Sequence, residues 1–565
     1  MKRFNPIRAK MAKHFILLLA AFFMLRAVPA RAAAHRDLVI GISQYPATLH
    51  PLFGSMMADD YILGMAQRPV TAYDADWRPT CLMCVKLPTF QNGLAKKIIL
   101  KNGRKGIAAT YTIKKGLTWG DGAPVTAQDI VFAWRVGRSP VSGVADGDFF
   151  AREIASVRAV GKRAFVIEFS KRDCDFASID DFYALPSHLD GKIFDRDPAA
   201  YRHRSLYSTD PTNPGLYWGP YVIARVDPGA DVVLKRNPYW HGKKPAFGTV
   251  TVKVVENSAA LAANLLSGGV DMIAGELGLT LDQALSLKNR LPAGYKTVFK
   301  PGLSYEHIDL NLDTPLLKDV RVRRALLYGM NRAAINQNLF SGQQPVAASF
   351  VNPLDTVYDP GVRKYPYDPA KAKALLAAAG WKTGPDGIRE NKAGQKLSFT
   401  LSTTAGDEER AIVEQAIQSD WRKIGVDAVI SNQTPRVLFG QTLRKRTFTG
   451  GVMYAWIGAP REIPKTTLSS AMIPSAKNSY SGQNYPGYKN NKADHIINRL
   501  ETACAPQKNR ALWNALQTLY ARDLPALPLF YRVNAYFIPP WLAGVTPTGD
   551  EDPTTLWIED WKVKP

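Results

Sequence analysis

The chain has 565 residues, 46% of them apolar and 21% charged, with 72 Lys and Arg against 49 Asp and Glu. That mix, free of low-complexity runs, excludes a disordered chain and supplies apolar residues for roughly two to four domains with sizeable cores. The formal charge of +23 does not indicate a nucleic-acid partner, because the basic residues are scattered and form no groove-reading motif; a solvated basic surface is the better reading.

The first element is an export signal. Lys2, Arg3, Arg8, Lys10 and Lys13 precede an apolar run from Phe15 to Leu25, and small residues follow. The run is shorter than the ~20 residues that span a bilayer. Cleavage is expected at the Ala32-Ala33-Ala34 end, so residues 1–34 are assigned as a signal peptide. No Cys stands near that end, which argues against a lipid anchor. The segment carries seven Lys and Arg and no acid, so removing it takes the charge from +23 to +16. Export also separates the chain from cytoplasmic DNA.

Cys81-Leu82-Met83-Cys84 sits between Pro79 and Pro88 and reads as a loop. A short disulfide, half of a zinc site and a redox pair all use this spacing. Zinc needs about four ligands and no second pair lies nearby, so Cys81 and Cys84 are expected to form a structural disulfide, in keeping with an oxidising compartment. Cys174 and Cys504 are candidates for a second bridge. Thr126 with Asp129 forms a capping-box start for a helix carrying Val131, Phe132 and Trp134. Ala108 to Ile113 and Phe165 to Phe169 read as short alternating strands. Asp146-Gly147-Asp148 and Asp180-Asp181 read as solvated acids rather than a calcium loop or a catalytic pair.

The stretch from Asn237 to Ile273, NPYWHGKKPAFGTVTVKVVENSAALAANLLSGGVDMI, reads as turn, strand, helix, turn, strand. Val250, Val252 and Val254 alternate with Thr251, Lys253 and Val255, as a half-buried strand requires. Asn257 caps a helix with Leu261, Leu265 and Leu266 on its apolar face, and Gly268-Gly269 ends it. Asp368 and Pro369 open a helix that Gly380 closes. Asp407 to Ile424 is a helix stopped by Gly425, and Val426 to Ile430 a strand. Lys508 to Arg522 is a late helix. Helix, Gly, strand in repeated succession is what α/β units produce.

No Gly-x-Ser-x-Gly, His-Glu-x-x-His or phosphate-loop motif occurs, and none of the eight His pairs at helical spacing for a metal. No cofactor and no metal site is assigned, and the residues give no reason to propose an enzyme.

Asn-Pro-x-Tyr-Trp-x-Gly followed by the strand and Leu-x-Ser-Gly-x-x-Asp closely resembles the extracellular solute-binding proteins of family 5, the periplasmic peptide- and nickel-type receptors of ABC importers. Five further segments resemble the family in its own order. They are Lys114 to Arg135 (KKGLTWGDGAPVTAQDIVFAWR), Gly219-Pro220-Tyr221, Asp319 to Arg332 (DVRVRRALLYGMNR, with Asn331 where Asp is usual), Tyr367 to Trp381 (YDPAKAKALLAAAGW) and Asn484 to Asp494 (NYPGYKNNKAD). The likeness runs from about Asp37 to the C-terminus.

The resemblance implies an α/β, two-lobed periplasmic binding protein fold (type II, cluster C-like) with an extra inserted subdomain. Lobe I would comprise residues 35–72, 205–303 and 530–565, the inserted subdomain 73–204, and lobe II 304–529. The chain would cross between lobes near Ser304-Tyr305-Glu306 and Leu527 to Tyr531, where a hinge can sit. The implied role is a monomeric periplasmic receptor, capturing oligopeptides or peptide-like solutes in an interlobe cleft and delivering them to a permease and ATPase complex of the inner membrane. A nickel chelate, an opine or a sugar as ligand, a secreted hydrolase and a periplasmic chaperone are the alternatives.

Family members that bind peptides hold the ligand's α-ammonium with an Asp a few residues after the Trp that matches Trp456. Here Ile457, Gly458, Ala459, Pro460, Arg461 and Glu462 follow, and the Asp is missing. Either Glu462 replaces it, or Arg461 recruits an anionic group. Tyr454 and Trp456, two apart on a strand, are candidates to stack on the ligand or to be core. Tyr217 and Trp218 are candidates to line the cleft. His50, in Leu49-His50-Pro51, reads as a turn variant, and Gln483-Asn484 as a brace for the loop before Tyr485.

Overall fold

The computed structural model describes residues 37–564, apart from Ser55, Ala145, Asp146, Asp148, Arg172, Asp173, Asp175, Asp181, Pro435, Arg436, Ser479 and Ser481. The signal peptide, both acids of the Asp146-Gly147-Asp148 turn and Asp181 therefore lie outside the described residues.

A ten-stranded sheet runs through the molecule. Its strands in chain order are β1 (Asp37–Ile42), β2 (Tyr221–Asp227), β3 (Asp231–Arg236), β4 (Thr249–Val254), β5 (Met272–Ile273), β6 (Lys296–Leu310), β7 (Ser398–Ser402), β8 (Asp427–Ile430), β9 (Gly451–Trp456) and β10 (Ala526–Ile538). Their spatial order is β8-β7-β9-β6-β10-β5-β1-β4-β3-β2. The valines expected to alternate do so: Val250, Val252 and Val254 are buried while Thr251 and Lys253 are half-buried. β1 pairs in parallel with both β4 and β5, as the connecting helix Ser258–Leu266 requires. Asn257 caps that helix by accepting from the Ala260 N–H at 2.9 Å. Asp407 caps Glu408–Arg422 in the same way, and Gly425 turns out of it at φ +84° into β8.

The two largest apolar cores divide between the two halves, and a third core in the second half gathers Leu468, Ile497, Trp513 and Tyr520. Of the two largest, one gathers Leu38, Ile40, Val250, Val252 and Trp218 with Ile107, Trp119, Phe165 and Phe182. The other gathers Ile308, Leu326, Leu376, Leu401, Trp421 and Phe530. The four-stranded antiparallel sheet formed by residues 95–99, 105–112, 154–159 and 164–169 thus shares its core with β1 and β4 rather than enclosing one of its own.

β6 and β10 carry the chain between these cores. They pair antiparallel from Lys296↔Ile538 at one end to Asp309↔Ala526 at the other, with register shifts between Pro301 and Tyr305 and between Glu306 and His307. Tyr536 and Ile538 belong to the first core, Ile308 and Leu527 to the second. Both irregularities fall where a crossing is expected from sequence, and a broken ladder is where a sheet bends most readily.

Cys81 is joined to Cys84, and Cys174 to Cys504 across 330 residues.

Candidate functional site

The second half of the molecule encloses a cavity of about 100 Å³ whose walls run from Leu303 to Ala526. β6 supplies Tyr305, His307 and Asp309, and β9 supplies Tyr454 and Trp456. Strand periodicity explains the choice: residues two apart share a face, and Tyr305↔Trp456 and His307↔Tyr454 stand directly opposite each other. Phe350, Asn352 and Asp355 close one side, the 458–468 segment another, and Trp513 and Tyr520 of the helix Pro506–Asp523 a third.

The β6 face is a hydrogen-bonded aromatic and acidic cluster. The Tyr454 hydroxyl donates to Asp309 Oδ2 at 2.6 Å. His307 Nε2 lies 3.3 Å from Asp309 Oδ1 and His307 Nδ1 lies 3.1 Å from the Tyr305 carbonyl. The Tyr305 ring stacks on His307 with centroids 4.9 Å apart, and its hydroxyl is 2.9 Å from that of Tyr520. Burial pulls the His307 imidazole down, but the Asp309 charge and hydrogen bond, with the Tyr305 carbonyl, lift it above its ordinary value. Two acceptors flanking the ring suit an imidazolium that donates from both nitrogens, leaving no basic nitrogen turned to the cavity.

Glu306, between them on the strand, faces the other way. It accepts from Arg410 Nε at 2.8 Å and Arg532 Nε at 2.7 Å. Burial would raise this carboxyl, yet the two guanidinium groups push it down to about 2. Glu409, beside Arg532 and accepting from the Leu281 N–H, is raised by burial to about 7.

Of the two residues weighed for the ligand's charged end, Glu462 lines the cavity and Arg461 does not. Arg461 sits at φ +62° and its backbone N–H donates to Asp355 Oδ2 at 2.8 Å; Arg461 and Glu462 are both exposed residues. Arg461 nevertheless stays near enough for its charge to act on the Asp355 carboxyl, which does line the wall. A Cβ on Gly458 would stand 2.2 Å from Glu462 Oε2, so the carboxylate lies over this glycine, in space a side chain would take. Burial raises the Asp355 carboxyl, and the Arg461 and Val357 N–H groups partly offset it. The cavity wall therefore holds three carboxylates, Asp309, Asp355 and Glu462, and no Lys or Arg.

Tyr217 and Trp218 are not part of it. They are 0% and 1% exposed in the first core, and the Tyr217 hydroxyl donates to the Pro211 carbonyl. Gly219 explains their position: its N–H donates to the Ala66 carbonyl at 2.7 Å, an approach so close that the adjoining aromatics must face inward. His50 is buried between Phe53 and Tyr207, and burial lowers it to about 3, so it is a neutral packing residue. Gln483 lines the cavity, whereas Asn484 braces the loop, bonding the Ser469 and Tyr488 carbonyls.

Reasoning from sequence misses Tyr305, His307, Asp309, Asp355 and Tyr520. The alternation Tyr305-x-His307-x-Asp309 was the available signal on β6. Nothing in Asn352 to Asp355 sets it apart from an ordinary polar turn. Among the described residues no His, Cys, Asp and Glu cluster is arranged to hold a metal ion, and no helix is long and apolar enough to cross a membrane.

The model of the family "Bacterial extracellular solute-binding proteins, family 5 Middle" matches residues 89–471. The chain belongs to this family. Among family 5 relatives, the oligopeptide-binding protein AppA of Bacillus subtilis is 27% identical over 513 residues, covering 90% of this chain and 88% of AppA. The nickel-binding periplasmic protein of Escherichia coli is 32% identical over 262 residues, covering 46% of this chain and 48% of its own. The crystal structure of the Thermus thermophilus oligopeptide-binding protein complexed with a pentapeptide superposes with a TM-score of 0.79 at 26% identity, covering 94% of this chain and 96% of that one. The two-lobed family 5 fold is therefore the fold of this chain.

Proposed function

We propose that this protein is a periplasmic receptor of an ABC importer that captures oligopeptides or peptide-like solutes and hands them, unaltered, to a permease and its ATPase in the inner membrane. The observation that carries the reading is the charge of the cavity wall: three carboxylates among aromatic rings, with no Lys or Arg, and a single imidazolium, His307, that is already paired with Asp309. Such a wall suits a ligand with an ammonium end and apolar side chains. The relatives AppA and the Thermus protein, named for oligopeptides, support the same class.

In this reading Glu462 and Asp355 receive the ammonium end. Tyr305, Trp456 and Trp513 pack its side chains, and the peptide main chain bonds to polar groups at the rim. Water exclusion strengthens each polar contact, and a micromolar affinity needs only ~−8 kcal/mol. The receptor loses residues 1–34 on export and works as a free monomer. Residues 35–72, 205–303 and 530–565 with the 73–204 insertion form one lobe and 304–529 the other.

The test is to denature receptor purified from its native periplasm and identify the released solute by mass spectrometry, then titrate that solute calorimetrically. Peptides recovered intact support the reading. A recovered metal chelate, opine or sugar would replace the ligand class, and turnover of a bound peptide would replace the receptor by a hydrolase.

A further inference from the structure

A clamshell opens freely when its lobes are joined only at the hinge. Here β6 and β10 carry the chain across, and a third, covalent tie lies elsewhere. Cys174 follows the strand Ala164–Phe169, and Phe176 and Ile179 just beyond it pack into the first core. Cys504 stands between the helices Asn491–Leu500 and Pro506–Asp523, whose Ile497, Leu500, Leu512 and Leu516 pack with Leu468 in a core of the second half. The Cys174 N–H also donates to the Glu501 carbonyl at 3.0 Å.

An alternating ion cluster surrounds the bond. Lys171 lies 2.6 Å from Glu501 and 3.5 Å from Glu153; Lys465 lies 3.1 Å from Glu501 and 3.3 Å from Glu153. Glu153 and Lys171 come from the first half, Lys465 and Glu501 from the second. Partly exposed pairs of this kind are weak and screened by salt, so they align the rims without holding them. The disulfide does hold them, because it keeps the two Cα atoms, here 5.1 Å apart, within the ~4.4–6.8 Å that a disulfide spans.

The tie also adjoins the site. Lys465 opens the short helix Lys465–Leu468, of which Thr467 and Leu468 line the cavity, and Trp513 and Tyr520 reach the cavity from the helix that follows Cys504. Accessibility separates the two disulfides. Cys504 is exposed and Cys174 half-buried, whereas in the other pair Cys81 is half-buried and Cys84 fully buried, so an exposed sulfur-bearing residue occurs in the first pair and not in the second.

We propose that Cys174–Cys504 is a redox latch that holds the two lobes shut over the second-lobe cavity, and that a dithiol reductant outside the cytoplasm releases it. The reductant's thiolate attacks the exposed Cys504 sulfur. The S–S bond breaks, and Cys174 leaves as a thiolate and takes up a proton. The reductant's second thiol then resolves the mixed disulfide, so the dithiol is oxidised by two electrons and Cys504 is freed as a thiol. The reduced receptor opens and loads; a disulfide oxidant of the same compartment then takes two electrons from Cys174 and Cys504 by thiol–disulfide exchange, is itself reduced to its dithiol, and re-forms the bond over the cargo. This rests on the receptor reading above.

The mature full-length chain tests it. The Cys81→Ser/Cys84→Ser form isolates the latch, and small-angle scattering compares it oxidised, treated with dithiothreitol, and alongside the Cys174→Ser/Cys504→Ser form, all without ligand. The expected result is a larger maximum dimension for the reduced and Cys174→Ser/Cys504→Ser forms than for the oxidised one. A dansyl-labelled pentapeptide should dissociate about tenfold faster from these open forms, since such differences appear mainly in off-rates. Identical scattering in all states, or free thiols at 174 and 504 in non-reducing peptide maps of the native protein, would overturn the latch. If the serine form fails to fold, reversible reduction of the folded protein decides by the same scattering difference. Failure of every form to bind peptide, with the scattering difference present, would remove the peptide reading and leave the latch standing.

Discussion

Glu462 and Arg461 are neighbours in sequence with opposite fates, and the backbone makes the difference. The left-handed turn at Arg461 puts its N–H on Asp355, while Glu462 reaches back over Gly458 to the cavity. Glu462→Gln should therefore weaken a peptide with a free ammonium end by about 1–3 kcal/mol, the scale of a lost charged hydrogen bond, and leave an N-acetylated peptide nearly unaffected. Isothermal titration of the two peptides checks this. Arg461→Ala should leave both affinities unchanged; a marked loss for an anionic ligand would assign Arg461 the anion-recruiting role instead. Tyr217 and Trp218 teach the same lesson from the other side. An aromatic pair beside Gly219-Pro220 looks like a cleft wall in one dimension, yet the contact of Gly219 with the Ala66 backbone turns it into the core.

On β6, one strand serves two purposes because its faces alternate. Its odd positions from Tyr305 to Asp309 line the cavity, and Glu306 locks the other face to Arg410 and Arg532. Removing Glu306 leaves two guanidinium groups without their shared partner, so Glu306→Gln should cost about 3 kcal/mol of stability, read as a lower urea midpoint. Its folded carboxyl lies below the unfolded value, so its contribution is complete above pH 4.5 and is lost as the pH falls toward about 2. His307 has the opposite sign. Its folded value is raised, so the His307–Asp309 contribution is complete below pH 6.5 and is lost as the pH rises through the elevated folded value. Thermal melts of the wild type and His307→Gln should differ most at low pH within that scheme and converge as the pH rises. The helices, by contrast, were legible locally. Asn257, Asp368 and Asp407 each cap the helix they precede, because a cap is a bond between residues only a few positions apart.

At the scale of the whole molecule, the β6–β10 ladder between the two cores is interrupted, and a broken ladder is where a sheet bends most readily. With the Cys174–Cys504 tie removed by serine substitution, binding should shift an open–closed equilibrium toward closed. Scattering should then show compaction when ligand is added; no compaction with a tightly bound peptide would argue for a rigid pocket instead of a clamshell.

By itself the sequence determined the α/β class, the succession of strands, the helix caps and the family, since periodicity, capping and motif order are carried by residues near one another along the chain. Only the tertiary structure decided which side chains meet in the cavity and which cysteine pair bridges 330 residues. Asp309, Asp355, Glu462 and Tyr520 come from separate elements of the chain. Their convergence depends on strand register and on the packing of the core that holds Leu468, Trp513 and Tyr520, and distances set by register and packing are properties of the folded chain that no local pattern encodes.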